Sequence, residues 1–107
     1  MKVLNKEQTL NYVLPHYHLS QVFLYKITPN LVDISFENIT MSEMRLQLCF
    51  IDNTIDLDAN SIELLKNDIQ NRLAIKVCIF IKQISKEDFN NASYDIFKDV
   101  LFRRYKL

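Results

Sequence analysis

The sequence contains no glycine among its 107 residues, and this absence restricts both the folds and the chemistry open to it. Glycine adopts positive φ at little steric cost and lets a ligand approach the backbone N–H groups closely. Phosphate-binding P-loops and the dinucleotide-binding fingerprint both require glycines at fixed positions. We therefore exclude these two large classes of nucleotide-binding enzyme.

Length and composition predict one folded domain over residues 1–107. A chain of this size buries a core without disulfides or a metal. Its 49% hydrophobic and 24% charged residues are typical of a globular protein rather than a disordered one. Lys plus Arg and Asp plus Glu are equal at 13 each, so no net positive field attracts a phosphate backbone. We expect no nucleic-acid partner.

Cysteine usage and the N-terminal sequence predict a cytoplasmic location. Cys49 and Cys78 each lie in an apolar, β-branched run, where a free cysteine packs as a small hydrophobe and burial raises its pKa. A disulfide between them, or a catalytic pairing with a histidine, is therefore disfavoured. Residues 1–7 are too polar for the core of a signal peptide, and no apolar stretch approaches the roughly 20 residues that span a bilayer. We expect no membrane partner.

Hydrophobic patterning predicts an α/β (α+β) domain, a ferredoxin-like sandwich in which an antiparallel meander precedes a strand-helix-strand unit. Residues 5–14 are mildly helical, and Pro15 should end that helix. Three strands follow, because these segments are rich in strand formers or alternate with a period of two. They are residues 19–27, 31–37 and 43–51.

A helix and a further strand complete this prediction. Asn60 as N-cap and Glu63 three residues later form a capping box. An apolar stripe at helical spacing follows, made of Ile62, Leu65, Ile69 and Leu73. Residues 75–84 then alternate as a strand parallel to residues 46–51. The final stretch fits either a helical face or a short strand with a basic tip; its apolar residues are Ile96, Phe97, Val100, Leu101 and Tyr105.

Two polar clusters resemble metal sites but favour structural roles. The oxygen-bearing side chains of residues 52–63 fit the ligand spacing of an EF-hand loop. Leu57, however, occupies the place where that loop needs glycine, and a strand rather than a helix precedes the segment. His16 and His18 project to one side of an extended segment, yet no third ligand follows them in sequence. We predict no metal site and no bound cofactor.

The chain closes with the basic, aromatic-bearing stretch Arg103-Arg104-Tyr105-Lys106. Such a stretch contacts phosphate or an acidic partner in some proteins. Nothing else in the sequence extends it into a larger patch, so a solvated terminal run of charge is the favoured interpretation.

Several motifs occur in the same order as in a known family. They are Pro15-His16-Tyr17-His18-Leu19, the helix over residues 61–73, the link Ile75-Lys76-Val77, the late Ile84, and Lys98 ahead of an arginine pair. By these motifs residues 14–107 resemble the small C-terminal subdomain of phenylacetate-CoA-ligase-like adenylate-forming enzymes.

The resemblance implies a subdomain that swings over an adenylate-binding domain and presents a lysine to the acyl phosphate. Lys98 would be that catalytic lysine, and Arg103 and Arg104 would bind phosphate. The sequence departs from the family because Lys98 follows Ile96 and Phe97 rather than glycine, and because the hinge glycine and the large nucleotide-binding domain are missing. The chain would therefore complete a split acyl-adenylating enzyme in trans, or dock as a stand-alone relative.

We expect a non-catalytic protein-interaction or accessory domain that binds a protein partner or forms a homodimer through an open sheet edge or face. Its apolar residues exceed what one layer of helices covers; they include Val22, Leu24, Phe36, Phe50, Phe80 and Phe89. An immunity or antagonist protein that binds a toxin or an enzyme is an alternative, since it would also bind through a complementary surface. The trans-acting subdomain is the enzyme alternative.

Overall fold

A mixed β-sheet, with two helices on one face and a short helix on the other, forms the part of the chain that the computed structural model describes, residues 14–24, 26–52 and 54–104. The elements in chain order are α1 (Leu14–Phe23), β1 (Leu31–Thr40), β2 (Glu43–Ile51), α2 (Ala59–Leu73), β3 (Lys76–Ile84), α3 (Lys86–Asn90) and β4 (Asp99–Arg103). Across the sheet the strands run β3-β2-β1-β4. The predicted α+β class is confirmed, whereas the ferredoxin-like assignment stays a prediction.

The centre of the sheet has the pairing that the hydrophobic alternation predicts. β1 pairs antiparallel with β2, and β2 pairs in parallel with β3 along all nine residues of each strand. A parallel neighbour requires a crossover connection, which α2 supplies. Alternate residues of β2 are fully buried in the main core; they are Met44, Leu46, Leu48 and Phe50.

The prediction of a first strand over residues 19–27 is wrong, because helix α1 runs through Phe23. Pro15 lies in the first turn of α1, where a backbone N–H would have no helical partner, so proline is tolerated there. Leu19, Val22 and Phe23 have helical spacing and are buried in the main core. That spacing outweighs the strand propensity of the segment, so the predicted meander is reduced to a hairpin.

The prediction of α2 is confirmed, except for its N-cap. Asp58 rather than Asn60 caps the helix, since the Asp58 carboxylate accepts a hydrogen bond from the Ser61 N–H at 2.6 Å. This hydrogen bond lowers the pKa of Asp58. Leu65 and Ile69 of the predicted stripe are buried against the sheet.

Both ends of the chain were predicted less completely. Residues 5–13 of the predicted lead-in helix lie outside the described residues. Residues 99–103 form β4, which confirms the strand alternative for the final stretch. No helix within the described ranges is long and apolar enough to cross a membrane.

The face of the sheet that turns away from α1 and α2 carries a second, smaller core. Its buried members are Val32, Cys49, Ile51, Ile84 and Phe89, with Tyr94 packed against them. Residues 91–98, which we call the strap, follow α3 and cross this face on the way from β3 to β4 at the opposite edge. The connection through α2 runs across the sheet from β2 to β3, and the connection through the strap runs in the opposite direction, from β3 to β4. Two crossovers of the same hand that run in opposite directions lie on opposite faces of the sheet, as α2 and the strap do.

Three described residues adopt positive φ, and each does so without the help of glycine. They are Asp52 at 58°, Ala74 at 52° and Ala92 at 54°. These residues follow β2, α2 and α3, and the position after a helix is where glycine is most common. For alanine the left-handed conformation costs about 1–2 kcal/mol. The turn after α2 and the turn after α3 therefore carry strain that the packed sheet maintains.

Ala74→Gly is expected to stabilise the protein by about 0.5–1 kcal/mol, because glycine removes the steric strain but adds some entropy to the unfolded chain. Urea unfolding measures this change. Ala59→Gly is the matched control: Ala59 is the first residue of α2, and glycine there should destabilise by up to about 1 kcal/mol. Equal losses of stability in both variants would contradict the strain at Ala74.

Candidate functional site

The strap is fixed to each strand that it crosses. The side-chain amide of Gln47 on β2 donates to the carbonyl oxygen of Asp95 at 3.0 Å, and Lys82 on β3 donates to the same oxygen at 3.4 Å. The N–H of Phe97 donates to the hydroxyl of Ser35 on β1 at 3.0 Å. The strap therefore follows a defined path over the second core.

A buried carboxylate lies beneath the strap. Val32 is the extra residue of a β-bulge and lies in the second core, and Asp33 beside it pairs with Cys49 of the same core. Asp33 is fully buried, and its Oδ2 accepts hydrogen bonds from the Tyr94 hydroxyl at 3.0 Å and from Nε of Arg103 at 2.7 Å. No described residue donates to Oδ1. The two donors offset the desolvation of this charge and tie the strap to β1 and β4.

Burial keeps the Cys49 thiol and the Tyr94 hydroxyl, which lie near Asp33, protonated at neutral pH. Burial, together with the nearby charge of Asp33, raises the pKa of the Cys49 thiol to about 11 and that of the Tyr94 hydroxyl to about 12. At neutral pH Cys49 therefore presents no thiolate, and Tyr94 keeps the proton that it donates to Asp33. The arrangement suits the anchoring of the strap better than nucleophilic chemistry.

The two cysteines differ in exposure, although both were expected to be core residues. Cys49 is buried, as predicted, and lies in the second core. Cys78 is exposed, so the prediction of burial is wrong for it; the reason is that β3 lies at the edge of the sheet. Both thiols are free.

The residues considered as metal ligands have other structural settings. Asp56 accepts hydrogen bonds from the Thr28 hydroxyl and, at 2.9 Å, from the Asn30 N–H, so it joins the loop after β2 to the loop before β1. His16 and His18 lie on α1 rather than on an extended segment, and residues two apart on a helix do not face each other. Within the described ranges no three or more His, Cys, Asp or Glu residues are grouped closely enough to hold a metal ion.

The three residues that the family resemblance assigns to phosphate chemistry do not converge. Lys98 is exposed and directly precedes β4, whereas Arg103 is the last residue of that strand, so roughly 16 Å of extended chain separates them. Arg103 binds the buried carboxylate. Arg104 donates to the carbonyl oxygens of Leu31 and Thr28 at 3.1 and 2.8 Å. A phosphate would have to compete with these intramolecular partners for both guanidinium groups.

β3 forms one edge of the sheet, and among the described residues no strand pairs with its outer side. Its nine residues pair with β2 without a register shift. Phe80 is 47% exposed and Ile81 is 38% exposed, and as neighbours in a strand they point to opposite faces. Lys76, Cys78 and Gln83 are also exposed. We call these five side chains, with the outer backbone of β3, the β3 edge.

The strap holds Phe80 in place at this edge. The Phe80 ring meets the ring of Phe97 edge-on, with 5.9 Å between their centroids. The guanidinium of Arg45 lies 5.0 Å from the centroid of the Phe97 ring, and Arg45 also forms an ion pair with Glu37 on β1. A chain of contacts therefore runs from β1 through β2 and the strap to a half-exposed aromatic ring.

A groove of about 560 Å³ lies beside the end of β3, between this strand and the strap. Its lining is mainly polar and mixed in charge, and includes Lys82, Asp88 and Asp95. Sites for small molecules are usually apolar with a few placed polar groups. We assign no ligand to this groove.

Asp33, Tyr94 and Phe97 were not recognised from the sequence as one connected set. The alternation of β1 places Asp33 on the face of Ser35 and Glu37, as observed, but it does not reveal that the strap covers this face. An acidic residue within an apolar strand is a signal for a buried partner. The partner Tyr94 is 61 residues away along the chain, however, and no local pattern indicates that distance.

Tyr94→Phe is expected to lower the free energy of unfolding by about 1.5–3 kcal/mol, because it removes a hydrogen bond to a buried charged acceptor. Urea unfolding at neutral pH measures the loss. Tyr17→Phe makes the same change on an exposed ring of α1 and should stay within about 0.5 kcal/mol of the wild type. Similar effects in the two variants would contradict an anchoring role for Tyr94.

The difference in stability between wild type and Tyr94→Phe should also depend on pH. Because the pKa of Tyr94 is raised in the folded state, its stabilising contribution is complete below the ordinary tyrosine pKa of about 10 and is lost as the pH rises towards 12. The stability difference between wild type and Tyr94→Phe should therefore shrink over this range. A difference that stays constant from pH 8 to about pH 12 would show that Asp33 does not hold the Tyr94 proton.

No model of a known protein family matches this sequence, and no curated protein is significantly similar to it. The functional assignment therefore depends on the residues and contacts of the chain itself.

Proposed function

We propose that this chain is a non-catalytic protein-interaction or accessory domain that binds its partner through the β3 edge. The observation that carries the proposal is an edge strand of nine regular residues with half-exposed Phe80 and Ile81 at its centre. The unpaired side of such a strand offers backbone hydrogen bonds to an added strand, and its side chains give the addition its specificity.

The Phe80 side chain is held in place before any partner binds, and this supports the proposal. Interfaces draw most of their binding energy from a few aromatic or arginine anchors near their centre. Binding normally costs about 0.5–1.5 kcal/mol for each flexible side chain that becomes fixed. Phe80 already packs on Phe97, which in turn contacts Arg45, so part of this cost is met before a partner arrives.

The distribution of exposed apolar side chains favours β3 over other parts of the surface. Single exposed apolar residues are ordinary on proteins and need no explanation. Leu64 on α2 and Tyr17 on α1 are of this kind, since the backbone beneath them is already hydrogen-bonded within a helix. At β3 the exposed side chains coincide with outer backbone groups that no strand of the described residues pairs with, although the Val77 N–H is hydrogen-bonded to the Gln70 side chain at 3.1 Å.

Phe80→Lys is expected to weaken partner binding at least tenfold, because loss of a central aromatic anchor costs about 2 kcal/mol or more. The measurement is capture of proteins from a lysate of the source organism on the tagged wild type and on two variants. Leu64→Lys is the matched control, since it places the same charge at a 69%-exposed leucine on α2. Proteins retained by wild type and Leu64→Lys but lost with Phe80→Lys support the β3 edge. Equal capture by all three chains would refute it.

The immunity or antagonist role is a more specific form of this proposal. It requires a toxin or an enzyme as the captured partner and inhibition of that partner on binding. A cytoplasmic location and a ferredoxin-like classification likewise stay predictions of the sequence.

A trans-acting subdomain of a split acyl-adenylating enzyme is the second proposal, and the exposure of Lys98 favours it. An exposed lysine beside β4 is free to reach an acyl phosphate held by another protein, where its charge would stabilise the developing negative charge. The internal contacts of Arg103 and Arg104 support a structural role for those two residues rather than phosphate binding.

If capture recovers a large adenylate-forming protein, Lys98→Ala should abolish acyl-adenylate formation by the mixture and leave the association unchanged. Pyrophosphate release in the presence of ATP and carboxylic acids measures this. Lys26→Ala removes another exposed lysine and should leave the rate unchanged. A rate that Lys98→Ala does not alter would exclude the catalytic role.

A further inference from the structure

We propose that the partner of the β3 edge is a second copy of this chain, whose β3 pairs antiparallel with the first about a two-fold axis at Phe80. The inference rests on the proposed function, because it names the partner of the same edge. The two copies would form one continuous sheet of eight strands, a size that open sheets commonly reach.

The side chains of β3 are self-complementary in this register. The strand reads Lys-Val-Cys-Ile-Phe-Ile-Lys-Gln-Ile over residues 76–84. With Phe80 opposite Phe80 of the second copy, Ile79 lies opposite Ile81. The other opposed pairs are Cys78 with Lys82, Val77 with Gln83, and Lys76 with Ile84. Apolar pairs fill the centre, and no two charges of like sign are opposed.

The two lysines select this register over its neighbour. A two-fold axis at Ile79 would place Lys76 directly opposite Lys82 of the second copy, and like charges directly opposite each other destabilise a strand pair. An axis at Ile81 would place Phe80 opposite Lys82 and separate the two aromatic rings. The axis at Phe80 therefore combines the most favourable apolar pairing with the absence of charge repulsion.

The register also gives the combined sheet consistent faces. Opposed residues in an antiparallel pair point to the same side, and here each opposed pair has the same parity in the sequence. The helix-covered faces of the two copies then lie on one side of the sheet and the two straps on the other. Phe97 of each copy would flank the central pair of Phe80 rings.

The charges and the second edge of the molecule favour β3 self-pairing further. The formal net charge is zero, so two copies do not repel each other through their overall charge. β4, at the opposite edge, has five residues, a register shift in its pairing with β1, and charged residues at both ends. Short, bulged and charged edges resist pairing with another chain, whereas β3 has neither the bulge nor the short length.

The first measurement is the mass in solution by sedimentation equilibrium as the concentration is raised. An interface of one strand pair buries less than a standard interface, so we expect dissociation constants of about 10–100 μM. Wild type and Leu64→Lys should rise from the 12.7 kDa of one chain towards twice that mass. Phe80→Lys places two positive charges on the axis and should remain monomeric, with circular dichroism confirming that it is folded.

The second measurement tests the register without relying on that variant. Lys82→Cys keeps Phe80 and places a thiol directly opposite Cys78 of the second copy, within reach of a disulfide after slight adjustment. Gln83→Cys places its thiol on the other face of the strand from Cys78 and about 20 Å from the equivalent thiol of the second copy. Mild oxidation at high concentration should crosslink Lys82→Cys and leave Gln83→Cys uncrosslinked. Cys49 is buried and serves as an internal unreactive thiol.

The outcomes separate this inference from the proposed function. A wild type that stays monomeric at about ten times the upper expected dissociation constant overturns self-pairing. Equal crosslinking of the two cysteine variants overturns the register. If the chain is monomeric but captures a different protein in a Phe80-dependent manner, the self-pairing fails and the proposed function stands. If it is monomeric and no protein depends on Phe80, both fail.

Discussion

The pairing of β2 on both of its edges is the constraint on which the rest of this domain depends. β2 is antiparallel to β1 and parallel to β3, so one connection is a tight hairpin and the other is a helical crossover. Its two faces are both buried, with Met44 and Leu48 in the main core and Cys49 in the second core. Since the chain leaves β3 at one edge and must reach β4 at the other, its return path crosses the face that α2 leaves open.

The strap is therefore a structural necessity that also shapes the surface. It closes the second core through Tyr94, whose hydroxyl binds buried Asp33, and it supports Phe80 through the ring of Phe97. These contacts lie within a few residues of each other on one extended segment. A change that loosens the strap would affect both the stability of the fold and the order of the β3 edge, so the two properties are coupled.

The sequence was sufficient for those elements in which a local period determines burial. The alternation in β1, β2 and β3 and the stripe of α2 predicted these elements, including the parallel pairing of β2 with β3. The same kind of pattern reading failed for α1. Its side chains are strand formers, but the buried ones are spaced as on a helix. The site was harder, because alternation places Asp33 on the face of Ser35 and Glu37 but does not show that the strap covers that face. Its contacts with Tyr94 and Arg103 join segments that are 61 and 70 residues apart, and no local pattern reports them.

The buried polar groups of this domain are used to hold it together, which leaves its surface for function. A buried carboxylate is tolerated when donors offset its lost hydration, and Asp33 obtains them from Tyr94 and Arg103. The same burial keeps Cys49 protonated at neutral pH, so the thiol packs as a small apolar group. At β3 the balance is reversed, because an ordered aromatic ring and the outer backbone groups beyond Val77, whose own N–H donates to Gln70, face solvent. Pairing them with another strand would satisfy those groups at a small loss of side-chain entropy.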